Sequence, residues 1–452
     1  MKRQNLLAQL PQIEKLLSHQ DLNPWFHRIS RPLVSKICQK TITDARKSLL
    51  AGNPASSLTQ LIEKINQECN QVYNRRIRRV INATGIILHT NMGRSPLPAS
   101  IWQEAAMVNT TYSNLEFNLQ TGKRGSRGGL VPELLSLLTR AESALVVNNN
   151  AAAVFLMLSA LAGDKEVIVS RGEQIQIGGG FRIPDILALS GSRLVEVGTT
   201  NITTTGDYLS AASPDTAMAL SVHPSNFVMA GFTAKPTIAE LSSNLPRRVI
   251  LAVDQGSGVT TEQISGETSI IQHIRDGADL VCFSGDKVLG GPQSGIIVGN
   301  GKLLEKMRKH PLMRIFRPGK TILSLLEEFL IRKLNKEESG HTDFILNLPE
   351  KELKLKAQKI LRGLKRDCFS IVPSTMLAGG GSSPAKSLIS WAIKITLNQK
   401  AADILKQLRE NDPPIIGIIK EDSVHLNTAT LLPEDTTHIR NALKLLLPVN
   451  KP

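Results

Sequence analysis

The first 75 residues carry apolar side chains at helical spacing. Apolar positions between residues 33 and 50 recur one turn apart, and Gly52 marks a stop. A second run, residues 58–73, repeats the i, i+3, i+4 pattern after a turn that carries an N-cap residue. The pattern therefore predicts a helical N-terminal domain over residues 1–75.

From about residue 80 the pattern changes to short apolar runs that alternate with helical segments. The runs at 144–147, 166–170, 249–253 and 280–283 have the length of buried strands, and residues 151–162 read as a helix. Strands that alternate with helices indicate an α/β domain with a mainly parallel sheet. We predict this large domain over residues 76–335.

The last third of the chain has a different organisation. A lysine-rich helix, predicted over residues 350–365, leads into short strands and helices. This content is typical of a small α+β domain, which we predict over residues 336–452.

Composition excludes several classes of protein. The 452 residues are 41% hydrophobic and 21% charged, which excludes a disordered chain. The longest apolar stretch, residues 151–163, is too short to span a bilayer, and the N-terminus lacks a signal-peptide pattern. The four cysteines have no CxxC spacing, so we expect neither a metal site nor a redox pair. We predict a cytoplasmic protein without a membrane segment.

The charge is unevenly distributed along the chain. The formal net charge is +15, and the first 80 residues hold 14 lysines and arginines against 5 aspartates and glutamates. Four arginines lie within residues 75–79. They suit either a solvated connector at a helix C-terminus or contacts to phosphate. Because the excess is regional, we expect a polyanionic partner such as nucleic acid.

One lysine lies where α/β proteins build their sites. The apolar strand near residue 280 runs into Ser284-Gly-Asp-Lys, and further glycines follow at once. A lysine there can form a Schiff base with a carbonyl cofactor, and adjacent glycines let a flat cofactor approach the backbone. Alone, Lys287 would also suit a surface turn.

Two further segments give Lys287 a chemical context. Asp254 follows an apolar strand, and an acid there can pair with the pyridine nitrogen of pyridoxal phosphate (PLP). The Asn148-Asn-Asn-Ala run opens a helix, whose free N–H groups suit a phosphate. A phosphate cradle, an acid and a lysine in this order are the layout of the fold-type I PLP-dependent enzymes.

Several longer segments are distinctive. They include Arg79-Val-Ile-Asn-Ala-Thr-Gly-Ile-Ile-Leu-His-Thr-Asn-Met-Gly-Arg-Ser, Thr121-Gly-Lys-Arg-Gly-Ser-Arg, and residues 112–119, 148–153, 170–173, 177–184, 223–227, 231–233, 254–258 and 281–295. On these motifs the chain resembles the bacterial L-seryl-tRNA(Sec) selenium transferases, also called selenocysteine synthases, over nearly its full length. The resemblance implies a fold-type I PLP-dependent transferase fold for the large domain.

The resemblance also implies an activity. Serine esterified to the selenocysteine tRNA would lose its β-hydroxyl in a PLP-dependent elimination, and selenophosphate would supply selenium to the β-carbon. Lys287 would bind PLP and remove the Cα proton, while Asp254 would meet the pyridine nitrogen. The residues implied to line the PLP phosphate are Asn149, Asn150, Ala151 and Ser284.

Further roles follow from the same resemblance. Independently of it, hydroxide is a poor leaving group, so a proton donor is expected beside Lys287; Asp286 is the candidate, and its alternative role is to cap the turn. Arginines suit the charge of selenophosphate, and the matching ones are Arg94, Arg314 and Arg317. His89 and His223 lie in matching motifs and suit either substrate contact or a structural role. Arg124 and Arg127 are expected to reach a neighbouring subunit's site.

The implied partners are seryl-tRNA(Sec), bound by the basic N-terminal domain, selenophosphate, and further copies of the chain, as dimers assembled into a ring. Two positions depart from the family pattern: Gln255 replaces a leucine and Ala429 an arginine. Two other functions stay open on the sequence. One is a PLP-dependent lyase or transferase acting on a free small amino acid; the other is a tRNA-binding protein with an inactive core.

Overall fold

The computed structural model describes residues 10–177, 180–223, 227, 229–260, 267–337, 340–364, 367–379 and 382–447. The motif positions 178–179 and 224–226, and the ends of the first and last predicted domains, lie outside the described residues. The chain forms two compact units, Met1–Arg79 and Val80–Pro452.

The first unit is helical. A core of fully buried side chains, which includes Leu16, Val34, Cys38, Ile65 and Cys69, joins its helices. The helices are α1 (Ile13–Leu17), α2 (Asn23–Ile29), α3 (Arg31–Leu50) and α4 (Leu58–Tyr73), with a 3₁₀ turn at Gln20–Leu22. The helices predicted at 33–50 and 58–73 are thus confirmed.

Helix α4 starts at a capping box. The Ser57 hydroxyl accepts a hydrogen bond from the Gln60 N–H at 3.2 Å, and the Gln60 side chain accepts one from the Ser57 N–H at 2.9 Å. Two N–H groups that have no partner within the helix are satisfied in this way. The N-cap residue expected in the turn before α4 is therefore Ser57.

The strands of the second unit are, in chain order, β1 (Ile81–Asn82), β2 (Phe117–Asn118), β3 (Lys123–Arg124), β4 (Ser143–Val147), β5 (Glu166–Ser170), β6 (Gln176–Ile177), β7 (Phe181–Arg182), β8 (Arg193–Val197), β9 (Thr216–Val222), β10 (Ile250–Gly256), β11 (Leu280–Ser284), β12 (Gly295–Gly299), β13 (Phe369–Gly379), β14 (Ser382–Ile395), β15 (Ile415–Ile416), β16 (Ile418–Lys420) and β17 (Ser423–Asn427).

Its helices are α5 (Ala99–Thr110), α6 (Val131–Thr139), α7 (Asn150–Leu161), α8 (Ile183–Leu189), α9 (Thr205–Ala211), α10 (Ile238–Asn244), α11 (Ile270–Arg275), α12 (Gly301–Lys309), α13 (Leu312–Phe316), α14 (Lys320–Leu334), α15 (Gly340–Leu346), α16 (Glu350–Leu361), α17 (Ala401–Glu410) and α18 (Asp435–Leu446).

A mainly parallel sheet forms the centre of this unit. Its seven described strands have the order β4-β12-β11-β10-β9-β5-β8, and only β12 runs against its two neighbours. Apolar side chains cover both faces. Val146, Val281 and Ile296 pack into one cluster, and Leu145 and Ile297 pack into the other. Burial on both faces explains why these strands read as continuous apolar runs.

A second, antiparallel sheet lies in the C-terminal part, in the order β13-β14-β17-β16. Side chains from α16, α17 and α18 pack with it in a separate apolar cluster. Strand β1 pairs in parallel with β15, so the start of this unit contacts its C-terminal part.

The structure agrees with the predicted α/β fold and corrects some boundaries. Strands β4, β5, β10 and β11 and helix α7 lie where the alternation predicted them. The helix predicted over residues 350–365 ends at Leu361, and residue 365 lies outside the described residues. The division between large and small domains near residue 335 stays a prediction. In the described part of the chain, we find no helix that combines the length and apolar character of a membrane span.

The capping box gives a test of helix α4. The substitution Ser57→Ala removes the acceptor of the Gln60 N–H and should cost about 1 kcal/mol of local stability. Amides in the first turns of Leu58–Tyr73 should then exchange with deuterium about fivefold faster. The matched control is Ser56→Ala at the neighbouring exposed position, which should leave exchange unchanged. Equal exchange rates in the two variants would contradict the role of the box.

Candidate active site

Lys287 is a buried amine at the end of the central sheet. It lies three positions after the end of β11, and the residue is only 6% exposed. Burial lowers the pKa of Lys287, and the positive charge of Arg94 lowers it further, while the charges of Asp254, Asp286 and Glu267 raise it. A lysine with a lowered pKa loses its proton more readily, which favours a role as base or nucleophile.

Asp254 lies on the neighbouring strand. It is within β10 and pairs across the sheet with Cys282 of β11. The Asn150 side-chain N–H₂ donates to Asp254 Oδ1 at 2.8 Å. Burial raises the pKa of Asp254, and the hydrogen bond from Asn150 and the charge of Lys287 oppose that effect.

Two glycines let these groups converge. Gly256 has a φ of +68°, and a Cβ built there would lie 3.6 Å from Asp254 Oδ1 and 4.0 Å from Lys287 Nζ. At Gly258, with φ +81°, a Cβ would lie 2.7 Å from the Ser284 carbonyl oxygen. The backbone that follows β10 therefore packs directly against the turn that carries Lys287.

The N-terminus of α7 lies at the same edge of the sheet. The Asn149 side chain accepts a hydrogen bond from the Ala152 N–H at 2.9 Å and so caps the helix, while Asn150 and Ala151 form its first turn. Ser284, buried at the end of β11, pairs with Gly295. A Cβ at Gly295 would lie 2.1 Å from the Asn149 carbonyl oxygen, which places Ser284 beside this helix start.

An ion pair connects Arg94 with the lysine turn. One Arg94 nitrogen, Nη1, lies 3.1 Å and 3.0 Å from the two carboxylate oxygens of Asp286. The Ser95 N–H also donates to the Asp286 carbonyl at 3.3 Å. Arg94 has a φ of +62°, a backbone conformation that residues other than glycine seldom adopt. Its N–H donates to the carbonyl of His89, so His89 also lies in this segment.

The predicted pair of anion-binding arginines lies in the segment that follows α12. The Asn148 N–H donates to the Phe316 carbonyl at 2.9 Å, which fixes the segment of Arg314 and Arg317 against the start of α7. Arg314 is exposed on α13. Arg317 Nη1 lies 3.2 Å from a carboxylate oxygen of Glu116.

Glu116 gathers two further arginines. Its carboxylate is 2.7 Å from Arg127 Nη1 and 2.9 Å from Arg124 Nη2. The hydrogen bond from Arg127, with the charges of Arg124 and Arg317, lowers the pKa of Glu116. One carboxylate against three guanidinium groups leaves this cluster with an excess of positive charge.

His223 lies next to Asp254. Its backbone N–H donates to the Asp254 carbonyl at 2.9 Å, and its side-chain Nε2 is 3.9 Å from Glu267 Oε1. Burial lowers the pKa of His223, and the charge of Glu267 opposes that effect.

Three of the predicted site residues have buried polar atoms without a hydrogen-bond partner. These atoms are His89 Nδ1, Asn150 Oδ1 and His223 Nε2. Buried polar atoms in folded proteins almost always have partners. Atoms of this kind, at the edge of the sheet that carries Lys287, are suited to hold a polar ligand.

Sequence reasoning missed the acidic partners of this site. Glu116 lies within a recognised motif but received no role, and Glu267 lies in a polar loop without periodicity. Gln255 is buried and its amide bonds Ser257, whereas Ala429 is fully buried in an apolar cluster with Val288. Both departures from the family pattern therefore fit their surroundings.

Comparison with known proteins gives one family. The family model described as L-seryl-tRNA selenium transferase matches residues 80–432. The L-seryl-tRNA(Sec) selenium transferase of Moorella thermoacetica is 43% identical over 98% of this chain and 97% of its own length. That of Geotalea daltonii is 39% identical over 98% of this chain and all of its own length.

A solved structure agrees with the fold. D-glucosaminate-6-phosphate ammonia-lyase superposes with a TM-score of 0.59 at 18% identity, covering 84% of this chain and 97% of its own. The α/β architecture is that of the fold-type I PLP-dependent enzymes, as predicted.

The charges around Lys287 predict a pH effect. The substitution Arg94→Gln removes a neighbouring cation and leaves Asp286 without its partner, so the pKa of Lys287 should rise. At a fixed pH near neutrality, less of the amine is then uncharged, and an amine-directed reagent should label Lys287 more slowly. Protein prepared without cofactor is labelled over a pH series, and mass spectrometry gives the pH at which labelling of Lys287 is half-maximal, the labelling midpoint. Arg275→Gln, at an exposed arginine, is the control; an identical midpoint in both variants would contradict the assignment.

Proposed function

The chain belongs to the L-seryl-tRNA selenium transferase family, and from that membership we propose that it converts L-seryl-tRNA(Sec) into L-selenocysteinyl-tRNA(Sec) in the cytoplasm. The observation that carries the proposal is the convergence of a buried lysine and a buried aspartate around Gly256. Both are needed for PLP-dependent chemistry at an amino acid.

The residues of the site fit PLP. Lys287 would hold the cofactor through its ε-nitrogen, Asp254 would face the pyridine nitrogen, and Ser284 with the start of α7 would hold the phosphate. The unpartnered oxygen of Asn150 and the absence of a side chain at Gly256 support this fit. The helix start suits a phosphate because its N–H groups and dipole favour negative charge. When bound, PLP supplies an electron sink for negative charge at the serine Cα.

The chain's own residues would move the protons. Lys287, once its ε-nitrogen is no longer bonded to the cofactor, would take the Cα proton of the seryl group, a role that its lowered pKa favours. Asp286, which directly precedes Lys287, is our candidate for the proton that the leaving hydroxyl needs, which it could donate when its carboxyl is protonated and released from Arg94. His89 and His223 would contact the substrate through their unpartnered nitrogens.

Arginines would bind selenophosphate, the donor of selenium. We propose Arg94, Arg314 and Arg317, because guanidinium groups bind anions of this kind through paired hydrogen bonds. Arg94 and Arg317 each hold a carboxylate, Asp286 and Glu116 respectively. An arriving anion would therefore compete with these carboxylates for the arginines.

The N-terminal unit would bind the tRNA. Three guanidinium groups surround the ring of Tyr73, those of Arg28 at 5.5 Å, Arg76 at 5.9 Å and Arg78 at 5.1 Å. Trp25 packs edge-on against the same ring at 6.1 Å. Aromatic packing holds the arginines in place, so less side-chain freedom is lost when they bind phosphate.

We also propose that the chains form dimers assembled into a ring, with Arg124 and Arg127 reaching a neighbouring site.

The decisive experiment is a conversion assay. Purified protein with PLP, seryl-tRNA(Sec) and selenophosphate should yield selenocysteinyl-tRNA(Sec). Lys287→Ala should abolish the product because the variant lacks both the group that binds PLP and the base. Lys302→Ala, at an exposed lysine on α12, is the control and should retain activity. Turnover of free serine with no product on the tRNA would refute the proposal in favour of a lyase or transferase for small amino acids.

The arginines around Tyr73 can be tested by binding alone. Replacing Arg28, Arg76 and Arg78 by glutamine should weaken tRNA affinity. It should also reduce the slope of log affinity against log salt by about 1 for each phosphate that the variant can no longer bind.

The matched control removes the same charge from the second unit, through glutamine at the exposed positions Lys351, Lys359 and Lys406. This control should bind tRNA with the wild-type salt slope. Equal slopes in the two triple variants would exclude the Tyr73 cluster as the phosphate-binding surface.

A further inference from the structure

A second buried acid, Glu267, lies beside the site and has no role in the function proposed above. The residue is 6% exposed and lies two positions before Ser269, the N-cap residue of α11. The Ser257 hydroxyl donates to Glu267 Oε2 at 2.5 Å, and the Gln255 amide donates to the same Ser257 hydroxyl at 2.6 Å. This chain of hydrogen bonds holds the carboxylate in one position.

The same loop is fixed to the lysine turn. The Val288 N–H, one residue after Lys287, donates to the Ser257 carbonyl at 2.9 Å. The Gly258 N–H donates to Gln255 Oε1 at 2.7 Å. Residues 255–258 thus connect two parts of the site. The Ser257 side chain bonds Glu267, and the Ser257 backbone carbonyl bonds the turn that carries Lys287.

The carboxylate faces a histidine of the predicted site. Glu267 Oε1 lies 3.9 Å from His223 Nε2, a buried nitrogen without a hydrogen-bond partner. The charge of Glu267 raises the pKa of His223 and that of Lys287, although burial lowers both overall. The carboxylate therefore acts against burial, because it favours the protonated form of each group.

The other charged groups near His223 act differently. Lys235 and Lys287 lower the pKa of His223, and His273 lies close enough for the two histidines to affect one another. The second buried glutamate, Glu173, accepts hydrogen bonds from Ser221 and from the Val222 N–H, and Lys235 lies 3.9 Å away. Among the groups that affect the pKa of His223, Glu267 supplies the negative charge.

We propose that Glu267 is a positioning residue of this active site: held by Ser257 and Gln255, its carboxylate faces His223 Nε2 and favours the protonated forms of His223 and Lys287. It acts through these two residues. The inference rests on the proposed function only for the reaction that the site carries out. The interaction of Glu267 with His223 and Lys287 is a property of the protein without ligands.

The test compares Glu267→Gln with Glu267→Asp. The glutamine variant loses the charge, so the titration midpoints of the His223 imidazole, followed by NMR, and of Lys287 labelling should move to lower pH by about one pH unit. The aspartate variant keeps the charge and should titrate close to wild type. In the conversion assay, kcat of the glutamine variant should fall while KM for seryl-tRNA(Sec) is retained.

Controls separate this role from a structural one. Glu305→Gln removes an exposed carboxylate on α12 and should leave both midpoints unchanged. If Glu267→Gln does not fold, Ser257→Ala removes the donor that holds the carboxylate, and both midpoints should shift in the same direction by a smaller amount. Unchanged midpoints in a folded Glu267→Gln protein, or in Ser257→Ala where it replaces that variant, would overturn the proposal.

The titrations need neither tRNA nor selenophosphate, so they fail independently of the proposed function. Shifted midpoints in a protein that makes no selenocysteinyl-tRNA would refute the proposed function and support the role of Glu267. Unshifted midpoints in Glu267→Gln, together with selenocysteinyl-tRNA formation by the wild-type protein, would support the proposed function and refute the role of Glu267.

Discussion

The structure is organised around the cost of burying one amine. A lysine in water carries a full charge, and moving that charge into the protein interior is unfavourable unless other charges compensate it. Here the carboxylates of Asp254, Asp286 and Glu267 supply the compensation, and Arg94 opposes it. The effects of burial and of Arg94 outweigh those of the three carboxylates, so the pKa of Lys287 is lowered. Three separate loops and two strands must be held together to maintain that balance.

The central sheet could be predicted from the sequence because its physical cause is local. Strands buried on both faces need uninterrupted apolar runs, and such runs stand out between glycines and polar turns. Strand β12 was missed, since Gly295–Gly299 begins and ends with glycine, which has low strand propensity. At Gly295 the glycine is required by the close backbone of Asn149, a tertiary constraint that no local pattern reveals.

The candidate site was predictable to the extent that strand ends define it. Asp254 and Lys287 follow or end parallel strands, so the topology alone brings them together. The acidic partners were not predictable in this way. Arg94 and Asp286 are 192 positions apart, and Glu267 reaches the site through a loop without periodicity. Pairs of this kind depend on how loops pack, and a single sequence carries no signal for that packing.

The pairing of β1 with β15 has a consequence for synthesis of the protein on the ribosome. Near this contact the Gly85 N–H donates to the Thr430 hydroxyl, 345 positions further along the chain. At ordinary translation speeds the emerging polypeptide must wait roughly half a minute before its partner strand exists. Until then the motif that contains Arg94 has no completed scaffold, so a nascent chain would acquire its catalytic centre only after these C-terminal partners have been made.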